Sequence, residues 1–209
     1  RRQRQMCIRD RNNRWYHLAF ARDGSNNMRA FIDGTQVVTG VKTDDITIGS
    51  NALQIGNMGP SITRRFKGGY ISNVRIVKGT ALYTSTFTRP TAPLTTTSQG
   101  ATASEVELLM CQSSSFVDNS SNAFTITLTS TPKVQPYAPF APRRSYSKEV
   151  VGGSAYFDGT GDRLTVVDGA SSGAGDFTIS AWVYRTSNGT FPVILDTRSA
   201  DGDTKPVLY

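Results

Sequence analysis

The sequence predicts an all-β, two-sheet antiparallel sandwich, and three observations carry that reading. Hydrophobic residues recur with a period of two in segment after segment. Gly, Asn and Asp turns separate short strands at intervals suited to a sandwich or barrel. No segment shows a helical pattern of ten or more residues.

The elements follow in order. Trp15–Arg22 puts Tyr16, Leu18 and Phe20 on one face and Trp15, His17, Ala19 and Ala21 on the other. Met28–Ile32 and Thr35–Val38 flank Asp33-Gly34, a pair suited to a two-residue type I′ turn because both positions need positive φ. Short strands are expected at Ile46–Ile48 and Leu53–Ile55, with a longer one at Tyr70–Val77. Glu105–Gln112 and Phe124–Leu128 are further candidates. Four prolines between 132 and 142 then mark a connector over Pro132–Tyr146, because proline cannot donate to a ladder. Strand patterning returns at Ala155–Phe157, Arg163–Val167, Phe177–Tyr184 and Phe191–Asp196, and Val207–Tyr209 looks like one more strand.

Composition narrows the function classes. The formal charge of +7 suggests an anionic partner, but residues 1–11 (RRQRQMCIRDR) hold five Arg against one Asp. The other 198 residues carry 18 basic and 15 acidic groups, an ordinary surface with no nucleic-acid footprint. The 1–11 segment resembles a translated sequencing-adapter read-through and is set aside from fold reasoning. No apolar run reaches the length of a membrane helix and no signal peptide is visible, so neither membrane nor nucleic acid is an expected partner. Cys7 lies in the segment set aside. Cys111, in the apolar run Leu108–Cys111, reads as a small buried hydrophobe.

Several stretches together resemble the laminin G-like modules of the concanavalin A-like lectin/glucanase superfamily. Gly153–Val166 is similar to the opening strands and Asp176–Tyr184 to the strand after them. Trp15–Arg22 with Phe31–Gly34 is similar to the second half, and Phe66–Ile76 to the closing strands. The resemblance covers most of 14–83 and 152–196 and implies a concanavalin A-like jelly roll. The family's second half precedes its first half here. That order implies tandem modules, as in bacteriophage tail and virion proteins, with Leu108–Ser121 similar to an inter-module segment. The expected divisions are the 1–11 segment, a second half at 12–131, a Pro-rich connector at 132–150, and the first half of the following module at 151–209. Each half alone leaves an apolar sheet face bare. Strands 155–167 and 177–184 are therefore expected to pack with strands 15–22 and 70–77, as in a circular permutant.

The resemblance implies a non-catalytic module, in a virion or extracellular protein, that binds a glycan, a protein surface or neighbouring modules. A pure spacer is the alternative, and a glucanase a remoter one. Glu105 and Glu107 are spaced to share a strand face, but they lack the third acidic partner of the glucanase branch. His17, the only histidine, has no nucleophile elbow around it and reads as structural. Laminin G-like modules often hold calcium at one rim; the acidic turns at Asp44-Asp45, Asp158–Asp162 and Asp196–Asp203 make Asp158, Asp196, Asp201 and Asp203 candidate ligands. The loop Asn57–Arg65 is a candidate ligand loop with Asn57, Arg64 and Arg65 as candidate binding residues, Arg64 and Arg65 being able to meet an acidic sugar or phosphate. Trp182 and Tyr184 are candidates for an aromatic face.

Overall fold

The computed structural model describes residues 12–43, 53–58, 61–140, 153–167, 175–187, 193–196 and 207–208. These residues hold fifteen strands and no α-helix. The large sheet contains β1 (Trp15–Arg22), β2 (Asn27–Ile32), β3 (Thr35–Val41), β7 (Gly69–Lys78), β8 (Val106–Met110), β10 (Lys133–Gln135), β11 (Ser154–Phe157) and β13 (Phe177–Arg185). Its order is β10-β11-β7-β13-β1-β2-β3, and β8 pairs with β7 beyond the end of β11. The facing sheet runs β15 (Val207–Leu208), β14 (Leu195–Asp196), β4 (Leu53–Ile55), β12 (Arg163–Val166) and β9 (Ile126–Thr129). Every pairing is antiparallel.

The two halves interleave. β13 lies between β1 and β7, β11 extends the sheet on the far edge of β7, and β12 lies between β4 and β9. Tyr16, Leu18 and Phe20 meet Ile71, Ile76, Ile179 and Val183 from the large sheet and Leu53, Ile55, Leu164, Val166 and Leu195 from the small one. This is the inter-sheet core, built from the inward residues of the two-residue period. The Asp33-Gly34 turn forms as expected, with φ of 50° and 83°. Gly34 is also required by a close approach: a Cβ there would stand 2.0 Å from the Phe87 carbonyl oxygen.

Four expectations change. The segment Asn57–Arg65 is not an open loop: β5 (Asn57–Met58) and β6 (Ser61–Arg65) pair antiparallel, Asn57 with Arg65 and Met58 with Ser61. Part of the Pro132–Tyr146 connector is strand β10; Pro132 and Pro136 only bracket it, and an edge strand tolerates them. The strand expected over Phe191–Asp196 is reduced to Leu195–Asp196, with Ile194 in a bend and residues 191 and 192 outside the described set. Glu105 sits in a 3-10 turn before β8, so it does not share a strand face with Glu107. The expected strand at Ile46–Ile48 lies outside the described residues.

The second face of the large sheet is also covered. Residues 79–105 cross it as an irregular strap, burying Leu94 and Ala101 against Val77, Val106 and Leu109, and Tyr83 and Phe87 against Ala19, Ala21 and Phe31. Polar side chains pin the strap. Thr178 Oγ1 accepts from the Leu82 N–H and donates to the Thr80 carbonyl, Asn73 accepts from the Leu94 N–H, and Arg75 Nη1 donates to the carbonyls of Thr95 and Ser98. Cys111 is buried as expected, and burial pushes its thiol up out of the reactive range.

His17 lies fully buried on this face, and burial, helped by Arg75 and Arg89 against the pull of Asp33, lowers its pKa to about 3. The unfolded chain takes up the imidazole proton near pH 6.5, while the folded chain refuses it until about 3. Stability contributed by neutral His17 is therefore complete above pH 6.5 and lost as the pH falls toward 3. Between pH 6 and pH 4 the expected loss is about 2.5 kcal/mol. Urea titrations at pH 4 and 6 on the wild type and His17→Phe check this. The variant should lose most of the difference; an unchanged slope would assign the acid sensitivity elsewhere.

Candidate binding face

Four neighbouring strands place an aromatic side chain at the same level. Tyr156 of β11 is opposite Tyr70 of β7, Tyr70 opposite Tyr184 of β13, and Tyr184 opposite Trp15 of β1. Each ring is half-buried. Adjacent ring centroids are 5.2, 5.8 and 5.6 Å apart, with interplanar angles of 51°, 75° and 59°. Edge-to-face contact of this kind holds the rings rigid at little cost in side-chain entropy. At the usual strand spacing the row is about 14 Å long. Lys133 of β10, opposite Tyr156, puts an exposed ammonium at one end.

The former connector contributes a fifth ring. Tyr137 packs 4.9 Å from Tyr70, 5.1 Å from Tyr184 and 5.5 Å from Trp15, while Phe140 packs on Trp182 at 5.3 Å. The Tyr137 carbonyl accepts from Ser154 Oγ, which fixes the segment to β11. Burial first, then contact with Tyr184, pushes the Tyr137 phenol up to about 12; burial and the neighbouring phenols raise Tyr70. Both stay protonated at neutral pH and keep hydroxyls that donate and accept. The face thus offers aromatic surface, hydroxyls and one terminal cation.

Of the expected aromatic pair, Tyr184 belongs to this row, whereas Trp182 is buried between His17 and Phe140. Trp15, Tyr70, Tyr137 and Tyr156 were not singled out from the sequence. A weak signal existed in the alternation, which puts Trp15 on the face opposite Leu18, but the register that aligns the rings was not readable.

The rim residues fall elsewhere. Asn57 is buried in β5, with its amide donating to Gln54 Oε1. Arg65, at the end of β6, acts on Asp158 and helps hold that carboxyl below its usual range, although the largest cause is Thr160, whose hydroxyl and N–H both donate to Asp158 Oδ1. Arg64 is in β6. Asp196 is buried in β14 and pairs in register with Gln54. Asp201, Asp203, Asp44 and Asp45 lie outside the described residues. Among the described residues no group of three or more His, Cys, Asp or Glu is placed to hold a metal ion. Glu105 accepts from Thr80 Oγ1, and Glu107 from Asn122. No described helix is long and apolar enough to cross a membrane.

The family model described as Concanavalin A-like lectin/glucanases superfamily, of laminin G type, matches residues 8–83. Neither the curated proteins nor the solved structures returned a match. The matched stretch supplies β1 to β7, and strands from 154–185 complete its sheets. Residues 8–83 are thus similar to the laminin G-like sequences of the concanavalin A-like lectin/glucanases superfamily, and the described residues form an all-β, two-sheet sandwich.

Proposed function

We propose that this chain is a non-catalytic binding module that takes a glycan along the row Tyr156–Tyr70–Tyr184–Trp15. The carrying observation is the alignment of these four half-buried rings on adjacent strands of one sheet face. Sugar C–H faces stack on such rings, while phenolic groups bond their hydroxyls. Lys133 favours a glycan with an acidic substituent near one end. The superfamily's lectin-like fold supports the same reading.

Glycan-array binding, with and without calcium, tests it on the wild type and on Trp15→Ala and Tyr184→Ala at matched folded fraction. The expected result is calcium-independent binding weakened at least about tenfold in each variant, about 1.4 kcal/mol. Binding that needs calcium and survives both substitutions would move the site to the rim around Asp158 and Asp196. No binding in any condition would favour a structural spacer.

A further inference from the structure

A second polar site lies beneath the strap, on the same sheet face as the aromatic row and further along the strands. Its floor is the covered face of β1, β13 and β7. Arg75 and Ser180 stand opposite each other in register, as do His17 and Trp182. Tyr83 of the strap forms the roof, its ring centroid 6.2 Å from that of His17 and stacked on Phe87 at 3.8 Å. All five side chains are at most 4% exposed.

Their hydrogen bonding is incomplete. Arg75 uses Nη1 on Thr95 and Ser98, but Nε and Nη2 have no partner. Ser180 Oγ, Trp182 Nε1 and both His17 ring nitrogens are also unpartnered, while the Tyr83 phenol interacts with Arg75. Buried polar atoms are normally satisfied, so a cluster of them in one neighbourhood calls for an explanation. The group is dominated by donors: guanidinium N–H, indole N–H and the Ser180 hydroxyl. Its one fixed charge is the Arg75 guanidinium, and no carboxylate is among the groups that act on it. Asp33, the carboxylate nearest His17, is already paired with Arg14 and Arg89. A buried cation without a counter-charge is costly.

We propose that this cluster binds a small monovalent anion, chloride-like in charge and size, between Arg75, Ser180 and the strap. One negative charge matches one guanidinium; a dianion would leave net charge buried. A monatomic ion also accepts from donors converging at any angle, which suits groups drawn from three strands and a loop. The ion ties the strap to the sheet.

The melting temperature of the full chain in sodium chloride, sodium bromide and sodium gluconate at equal ionic strength tests this. Both halides are expected to raise it over gluconate, by about 3–6 °C at tenfold above half-saturation. Ser180→Ala, which keeps the cation, should move half-saturation to higher halide. Arg75→Met should abolish the difference. Crystals soaked in bromide should show an anomalous scatterer within hydrogen-bonding reach of Arg75 Nε or Nη2. Equal melting temperatures in the three salts, or ordered water alone at that position, would overturn the proposal, whatever the stability of Arg75→Met.

Discussion

A chain ending after residue 150 is expected not to fold, and adding the 151–209 segment in trans is expected to restore the sheet signal. Removing β13 strips both β1 and β7 of their ladder partner across the middle of the large sheet. Removing β12 separates β4 from β9. The deleted segment also carries Phe157, Leu164, Val166, Phe177, Ile179, Trp182 and Val183, all buried. At about 1.5–3 kcal/mol each, their burial matches or exceeds the roughly 5–15 kcal/mol that keeps a domain folded. Circular dichroism and thermal melting of the two segments, alone and mixed, decide it. A cooperative transition in residues 1–150 alone would show that the first segment holds a self-sufficient core.

Phe157→Ala is expected to cost about 3–5 kcal/mol and to lower the melting temperature by about 10 °C or more. The ring is fully buried and meets Phe66 edge-on at 5.9 Å. It stands at the end of β11, where the chain leaves the large sheet for β12 in the small one. The ring presses so closely on Gly56 that a Cβ there would stand 2.5 Å from Phe157 Cε1, and Gly56 has a φ of +86°. Gly56→Ala should therefore be destabilising, but less so in the Phe157→Ala background, where only the backbone strain remains. Denaturant unfolding of the two single variants and the double variant gives the coupling. Purely additive costs would mean that the contact does not govern Gly56.

These expectations differ in how far they could be read from the chain. The inter-sheet core and the burial of β12 follow the two-residue alternation, whereas β1 and β13, covered on both faces, are buried along most of their length. The aromatic row did not follow from alternation. Trp15 and Tyr156 are separated by most of the chain and share a row only because β7 and β13 lie between their strands in one register. Slipping that register by one residue would turn the rings to the other face. Tyr137 sat in a proline-rich stretch where periodicity predicts nothing, and it was positioned by β10 pairing with β11 and by its carbonyl's bond to Ser154.

The all-β class, the Asp33-Gly34 hairpin, the inward-facing residues and the need of each half for a complementary one were legible in the chain. Those properties are local: turn geometry, alternation and the apolar area a strand must hide. Tertiary structure decided which strand fills the gap between β1 and β7, and that the face bearing His17 and Arg75 lies under a strap rather than in water. It also lined up the aromatic row from distant segments. Alternation assigns a side chain to a face, but long-range pairing decides what that face meets.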